Sequence, residues 1–384
     1  MSDLRNLADP QPQDILGLPQ LDRLLEIFRA PGSSSAAQHP RWTSPVPEEG
    51  TSPSSARDGT PARGHPITSP STNRTRPSVI QLSSTHSAAG KTSLCYFITT
   101  LAILPQAFNG KARAAVWFDT DGRFSSVRLE AVLIDHLSTH FPRLDSVEKN
   151  AICRDAFQHL HVLHPQSSSQ LLCTLASLPG YLLGTNGATT HFSALRSLGL
   201  IVLDSATSFY WQDRFEAEVS CFEALGTDEN RGARTTTRPS RTLEIISELK
   251  RLQKLLDCTI LITSTPPMTS SSMTISTATS ITTNGRRLPP QETPRVSPWT
   301  AFATLNLSIS KEYVRQFAAQ MSLEECRRDQ VDRLAAIAKG CSIVSVDWIT
   351  SDTWGSEVRD AVNRLKGQGS FAIRITSNGV AVEG

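Results

Sequence analysis

Residues 85–92 read Thr-His-Ser-Ala-Ala-Gly-Lys-Thr, which are the residue types of a loop that binds phosphate. An apolar stretch at 79–82 precedes the segment and an amphipathic run from Ser93 follows it, the strand–loop–helix setting of a P-loop. In such a loop the backbone N–H groups point at phosphate oxygens, the lysine reaches the β- and γ-phosphates, and the threonine hydroxyl is a ligand of Mg²⁺. The segment therefore predicts a nucleotide and Mg²⁺ site that includes Thr85, Ala89, Gly90, Lys91 and Thr92.

One position departs from the P-loop pattern G-x-x-x-x-G-K-[ST]. The pattern has glycine where this chain has Thr85, and a residue with a Cβ atom tolerates the tight turn less well. A Gly-Lys-Thr tripeptide is also common by chance, so the assignment depends on the rest of the chain.

Three further polar pieces follow in the order typical of nucleotide hydrolases: Asp119 with Asp121, then Asp204, then residues 263–265. Each comes at the end of an apolar stretch that reads as a buried strand. Because ligands of open α/β sheets bind at the carboxyl ends of the strands, we expect all of these pieces at one edge. Asp204 would hold the Mg²⁺ shell, which is the Walker B role. Asp121 is placed where a general base could orient an attacking water.

Simpler interpretations remain open for several of these residues. An aspartate at a strand end, such as Asp204, is also a common cap or turn residue. His159, His161 and His164 look like a metal cluster, but two share a face of a short strand and the third follows in a turn, so we interpret them as structural. A basic stretch in a loop is consistent with either solvent exposure or contact with DNA phosphates, and it contains Arg231, Arg234, Arg238 and Arg241.

The periodicity of the chain predicts an α/β fold. Apolar runs of strand length, among them 114–118, 200–203 and 259–263, alternate with helical patterns such as 127–141 and 242–256. This alternation predicts a mostly parallel, twisted sheet with helices on both faces. Near the end of the chain, two short apolar runs flank Ser-Asn-Gly at 377–379, which predicts a C-terminal β-hairpin.

Composition divides the chain into three parts. Residues 1–30 form an arm with a short amphipathic helix at 21–28, and residues 31–77 form a Ser/Pro-rich segment with too few large apolar residues to fold, so we predict a long disordered N-terminal segment. Residues 78–384 form the core, with a second disordered, Ser/Thr-rich insert at about 265–298. The helix at 21–28 presents four apolar side chains on one face. We predict that it bridges to a partner, with docking onto its own core as the alternative.

The overall charge is too small to give the whole protein surface a positive potential that would attract nucleic acid. The 384 residues include 38 basic and 36 acidic side chains, a net charge of +2, so any DNA contact must come from a local patch. Seven scattered cysteines without a C-x-x-C pair fit a reduced compartment. No apolar run approaches the roughly 18 residues of a membrane span, so we expect a soluble cytosolic or nuclear protein without a membrane partner.

Two blocks of the sequence resemble a known family. Residues 118–129 read F-D-T-D-G-R-F-S-S-V-R-L, which resembles the D-T-E-G-x-F-x-x-x-R-L block of the RecA-like recombinases of the eukaryotic and archaeal strand-exchange branch. Residues 203–214 read L-D-S-A-T-S-F-Y-W-Q-D-R, which resembles a block of the recombinase paralogs. The resemblance covers about residues 78–265 and the last dozen residues.

The resemblance implies a RecA-like ATPase core that binds ATP and Mg²⁺, and a nuclear role in double-strand-break repair by homologous recombination. It further implies work in a complex of recombinase paralogs, with a paralog of the Rad51D type as direct partner. Through that complex the chain would help to assemble or stabilise the strand-exchange recombinase filament on single-stranded DNA. Single-stranded or branched DNA is the implied nucleic acid.

The family's site residues carry over only where this chain matches. Gly90, Lys91 and Thr92 match the phosphate and Mg²⁺ positions, and Asp204 matches the Walker B acid. Three positions depart from the pattern. Asp121 replaces a catalytic Glu and is one methylene shorter, Thr85 replaces the first P-loop Gly, and Thr265 replaces a Gln that senses the γ-phosphate. Together they predict nucleotide binding without efficient hydrolysis or strand exchange.

The family places its two DNA-binding loops after the strands that end at Asp204 and Ser264, here at about 219–240 and 265–298. Aromatic residues for base stacking are scarce, with Phe222 and Trp299 the nearest, so we expect mainly electrostatic, salt-sensitive DNA contact. The candidate DNA-binding residues are arginines, namely Arg231, Arg234, Arg238, Arg241, Arg286 and Arg287, with Arg295 close by.

Two other functions share the same P-loop. A self-sufficient DNA-dependent ATPase is the main alternative, because the Gly-Lys-Thr core is intact. A small-molecule kinase has no support beyond the P-loop, since the sequence has no recognisable lid or substrate motif.

Overall fold

The protein is described by a computed structural model. The residues that it describes are 16–29, 78–184, 192–226, 240–265, 296–312, 314 and 317–383. The predicted disordered segment at 31–77 lies outside these ranges, as does the insert from 266 to 295. Within the described residues, nine strands form one sheet: β1 Val79–Ser83, β2 Ala114–Asp119, β3 Leu160–Leu163, β4 Leu198–Asp204, β5 Thr259–Ser264, β6 Leu305–Lys311, β7 Cys341–Val346, β8 Phe371–Ile375 and β9 Val380–Glu383.

The sheet is mostly parallel, as the sequence predicts. Its strand order is β3-β2-β4-β5-β1-β6-β7-β8-β9. Strands β3 to β6 in that order pair in parallel, and β6 to β9 pair in antiparallel fashion. The predicted C-terminal hairpin is confirmed, with β8 and β9 paired from Ala372 opposite Glu383 to Ile375 opposite Val380.

Helices cover both faces of the sheet, which confirms the predicted α/β architecture. Adjacent residues of β2 show the division, because Trp117 packs into one hydrophobic core and Phe118 into the other. The first core takes side chains from α1 to α4 and from α10, and the second from α5, α7 and α8. The helices of the described residues are α1 Pro19–Arg29, α2 Lys91–Ile103, α3 Ser126–His140, α4 Ser146–Phe157, α5 Ser168–Leu182, α6 Tyr210–Gly226, α7 Arg241–Leu256, α8 Pro298–Phe302, α9 Leu323–Ala338 and α10 Ser356–Arg364. None of these helices is long and apolar enough to cross a membrane.

Helix α1 contradicts the prediction that it bridges to a partner. The side chains of its apolar face are buried, with Leu21 and Leu25 fully inaccessible, and they pack into the first core. Phe28 meets Trp354 edge to face at a ring distance of 5.0 Å. The alternative, docking onto its own core, is therefore correct for this face, and it leaves no apolar stripe of α1 free for another protein.

Helix α2 is buried on most sides, whereas the sequence predicted an amphipathic helix from Ser93. Nine of its residues are buried, including Thr99 and Thr100. A helix that is apolar all round belongs inside a protein, and α2 packs beneath the sheet against α3.

Other differences lie in elements with weak sequence patterns. Helix α8 ends at Phe302, and β6 begins only three residues later at Leu305. The sequence interpretation also missed α4, α6, β7 and α10. Helix α6 occupies 219–226, so the first part of the predicted DNA loop at 219–240 is helical, and residues 227–239 lie outside the described residues.

Candidate functional site

The carboxyl ends of four neighbouring parallel strands meet at one edge of the sheet. These strands are β2, β4, β5 and β1 in spatial order, and the polar pieces of the sequence follow each of them. Together with residues from β6, β7 and β8 they line a cavity of about 440 Å³. A cavity of this size is in the range of small-molecule and cofactor sites. The lining includes all but one of the predicted nucleotide-site residues, namely Ala89, Gly90, Lys91, Thr92, Asp121 and Asp204.

The loop between β1 and α2 presents an open helix start to this cavity. Gly90 precedes α2 with a φ of 112°, and no side chain caps the helix there. The first turn of α2 also carries no acidic residue. Free backbone N–H groups and the positive end of the helix dipole therefore face the cavity, an arrangement that favours an anion.

Thr85 is the predicted residue that does not line the cavity. Its side chain is exposed, and its hydroxyl lies 2.8 Å from Nδ1 of His86. Ala88, within the same loop, takes a positive φ of 56°, so the chain here adopts a conformation that glycine would accept more readily.

Lys91 is held at the bottom of the loop. Its Nζ donates to Oγ of Ser84, a contact that no sequence motif predicts. Burial lowers the pKa of Lys91, and the nearby carboxylates of Asp204 and Asp121 oppose that shift. A bound polyphosphate would add negative charge beside Nζ and favour its protonated form further.

Asp204 ends β4 and lies beside Thr92. The Thr92 hydroxyl donates to Oδ2 of Asp204 over 3.0 Å, and the Thr263 hydroxyl donates to Oδ1. Burial raises the pKa of Asp204, the two hydroxyl hydrogen bonds lower it, and Asp121 and Asp119 raise it. One hydroxyl and one carboxylate at this distance are oxygen donors of the kind that Mg²⁺ takes from proteins.

Asp119 and Asp121 have different roles in the structure. Asp119 is buried, and its carboxylate accepts backbone N–H groups from Arg123 at 3.1 Å and Phe124 at 2.9 Å. It also lies 3.2 Å from Nδ1 of His164. Asp119 thus fixes the turn after β2, whereas Asp121 is exposed and lines the cavity.

Comparison with known proteins bears on the family. No protein-family model matches the chain. The chain is 33% identical over 164 residues to the DNA repair protein XRCC2 of the mouse, Mus musculus. This similarity supports a relationship to the RecA-like recombinase paralogs. The similar segment covers 42% of this chain and 50% of the mouse protein, so the chain spans about half the length of that relative.

Most of the candidate DNA-binding residues lie outside the described residues, namely Arg231, Arg234, Arg238, Arg286 and Arg287, together with the neighbouring Arg295. Arg241 begins α7, where its Nη1 donates to Glu244 at 2.8 Å, so its charge is already paired. The two aromatic residues considered for base stacking add no support. The side chain of Phe222 is not among the described ones, and Trp299 is buried in the second core. Among the described residues, no predicted DNA contact therefore reaches the cavity.

The three histidines of the suspected metal cluster have different surroundings and different hydrogen-bond partners. His159 is buried, His161 hydrogen-bonds to Tyr181 and Ser193, and His164 pairs with Asp119. Among the described residues, no group of three or more histidine, cysteine, aspartate or glutamate side chains is arranged to hold a metal ion.

The sequence interpretation missed several cavity residues. Arg123 follows Asp121 by two positions, and its place in the family-like block was the available signal. Lys311, Cys341 and Ile375 come from β6, β7 and β8, far along the chain, and no motif marks them. These three strands lie at the site because the strand order of the sheet places them there, which no local sequence pattern indicates.

Proposed function

We propose that this chain is a recombinase-paralog subunit that acts in the nucleus in DNA double-strand-break repair by homologous recombination. It helps to assemble or stabilise the recombinase filament on single-stranded DNA. The observation that carries the proposal is the similarity to the mouse DNA repair protein XRCC2, at 33% identity over 164 residues. The nucleotide-sized cavity at the sheet edge supports it independently.

The cavity is proposed to bind ATP with Mg²⁺. The open start of α2 and Lys91 would hold the phosphates, and the Thr92 hydroxyl and the Asp204 carboxylate would hold the metal. A Mg²⁺ ion held there would supply positive charge that offsets the charge of the phosphates. The donor set fits this role, because Thr92 and Asp204 offer adjacent oxygens and Thr263 orients the carboxylate from its other side.

Nucleotide binding is proposed to be regulatory. Asp121 lines the cavity but is one methylene shorter than a glutamate, so its carboxylate reaches less far toward an attacking water. Thr265 also lines the cavity, and its backbone N–H donates to the Thr207 hydroxyl at 3.3 Å. Threonine lacks the amide of glutamine, so it cannot relay the γ-phosphate by the same hydrogen bonds.

The proposed partners are other recombinase paralogs, with one of the Rad51D type in direct contact, and through them the strand-exchange recombinase. The proposed nucleic acid is single-stranded or branched DNA. The arginines at 231, 234, 238, 286 and 287 remain the candidates for that contact.

Purification of the tagged full chain from its own host, followed by mass spectrometry, tests the assembly role. We expect other recombinase paralogs in the eluate, in amounts comparable to the bait. An eluate without any recombinase paralog, from a bait that is folded and soluble, would overturn the proposal. The matched control is the same chain with Leu24→Asp, which places a charge in the core and should lose the partners through misfolding.

A self-sufficient DNA-dependent ATPase is the second candidate, because Lys91, Thr92 and Asp204 converge in one cavity. Steady-state ATP turnover with and without single-stranded DNA decides between the two. Turnover that DNA stimulates and that Lys91→Ala abolishes would favour the ATPase. Absence of stimulation, together with paralogs in the eluate, favours the assembly subunit.

A further inference from the structure

Arg123 brings to the cavity a positive charge that is not paired with any other described group. Its side chain lines the cavity beside Asp121 and is exposed to solvent. Within the described residues, its guanidinium makes no hydrogen bond or ion pair, and only its backbone N–H is engaged. An arginine guanidinium is well suited to paired hydrogen bonds with a carboxylate or a phosphate, so the unpaired guanidinium of Arg123 is available to a ligand.

The backbone on either side of Arg123 is fixed. Asp119 accepts the N–H groups of Arg123 and Phe124, and Gly122 makes the preceding turn with a φ of 68°. The Phe124 ring packs edge to face on Trp117 at 5.2 Å and on Tyr96 at 5.7 Å. Because the turn is anchored on both sides, only the Arg123 side chain must be ordered when a ligand binds.

A bound triphosphate would bring negative charge to a cavity whose own charged side chains balance one another. The lining carries the carboxylates of Asp121, Asp204 and Glu312 and the cations of Lys91, Lys311 and Arg123, and a triphosphate would add further negative charge beside the carboxylates. Lys91 lies at the β1 loop, and burial lowers its pKa. Arg123 instead lies in the turn that carries Asp121, the residue at the position of a base that orients water toward the terminal phosphate.

We propose that Arg123 donates, within its own chain, to the terminal phosphate of a bound nucleoside triphosphate and makes the site prefer triphosphate to diphosphate. This inference rests on the proposed nucleotide binding. The planar guanidinium offers two parallel N–H donors to phosphate oxygens that a diphosphate does not place there. The chain would thus distinguish a nucleoside triphosphate from a diphosphate without an arginine from a neighbouring subunit.

Isothermal titration of the full chain with Mg²⁺ and either ADP or a non-hydrolysable ATP analogue tests this role. We expect Arg123→Ala to weaken the ATP analogue about tenfold or more and to change ADP affinity by less than about twofold. Arg123→Lys should restore part of the loss, because it keeps the charge without the paired donors. Arg143→Ala, a change at an exposed arginine outside the cavity, should alter neither affinity.

Each result has a definite meaning. An equal loss for ADP and the ATP analogue, or no loss for either, would overturn the role of Arg123 while the proposed nucleotide binding stands. Absence of binding of either nucleotide to the unmodified chain would overturn both proposals. Thermal unfolding without nucleotide, unchanged between Arg123→Ala and the unmodified chain, shows that the variant is folded.

Discussion

The side chain of Ile375 lies directly over Gly90. A Cβ atom built on Gly90 would come well inside 3.0 Å of the Ile375 Cδ1 atom, closer than real Cβ atoms approach. Gly90 also has a φ of 112°, outside the range that side chains tolerate. The C-terminal hairpin therefore covers the predicted phosphate loop at this point, and a side chain at position 90 would require both a strained backbone and a shift of the Ile375 side chain.

Gly90→Ala is expected to destabilise the protein by about 2 kcal/mol or more, because it adds both backbone strain and a collision with Ile375. Gly122→Ala is the matched control. Gly122 also has a positive φ, but no atom lies within 4 Å of its added Cβ, so the cost should be about 1 kcal/mol from strain alone. Urea unfolding measures both, and equal losses would contradict the predicted collision.

Arg128→Ala is expected to loosen the turn of the C-terminal hairpin. The Arg128 guanidinium donates to the carbonyl oxygen of Thr376 at 2.6 Å and to that of Ser377. We expect a loss of about 1 kcal/mol, since the side chain is partly exposed. Hydrogen exchange should show faster exchange at 371–383, whereas Arg143→Ala should leave those amides unchanged.

The fold was predictable where burial left a simple pattern. Strands such as β4 and β5 are apolar on both faces because helices cover both, so they read as continuous apolar runs. Strand β7 was missed because its six residues, C-S-I-V-S-V, include two serines and form neither a continuous apolar run nor a strict alternation of apolar and polar residues. Helix α1 was found as a helix, but a sequence cannot say whether an apolar face packs inside or on a partner.

Only the residues of the site that belong to recognisable local motifs could be predicted from the sequence. Lys91, Thr92 and Asp204 have residue types and strand contexts that point to phosphate and Mg²⁺. Asp119 and Asp121 are equivalent by sequence, and only the structure separates the turn-fixing carboxylate from the exposed one. The contacts of Ser84 and Ile375 depend on side-chain packing across distant strands, which no local pattern encodes.

The burial of His136 predicts sensitivity to acid. Burial lowers the pKa of His136 and neighbouring His140 lowers it further, while its hydrogen bond to Phe108 and the charge of Asp135 raise it. The unfolded chain therefore takes up a proton at a higher pH than the folded chain. The free energy of unfolding should consequently fall as the pH drops below the ordinary value of 6.5.

His136→Gln is expected to remove part of that fall, because glutamine does not titrate. Urea unfolding at about pH 7.5 and about pH 5.5 measures the difference for both proteins. The unmodified chain should lose more stability between the two values than the variant. An identical loss would show that other groups carry the acid sensitivity.

Leu24→Ala is expected to cost about 3 kcal/mol of stability, because the side chain is buried in the first core. Glu26→Ala, on the exposed side of the same helix, should change stability by less than about 0.5 kcal/mol. A large loss for Leu24→Ala together with a small one for Glu26→Ala would show that α1 packs on the core of its own chain. Equal and small effects in the isolated chain would contradict the packing of α1 and revive the bridging role.

Asp121→Glu is expected to raise ATP turnover by about tenfold, because the longer side chain brings the carboxylate closer to an attacking water. The substitution lies on an exposed loop, so stability should hardly change. Steady-state phosphate release with Mg²⁺ and single-stranded DNA provides the measurement. Adding Lys91→Ala to the same variant should abolish the gain, which excludes a contaminating ATPase. Turnover that stays unchanged in Asp121→Glu would mean that the reach of this carboxylate is not what limits hydrolysis, and the departures at Thr85 and Thr265 would then be the next to restore.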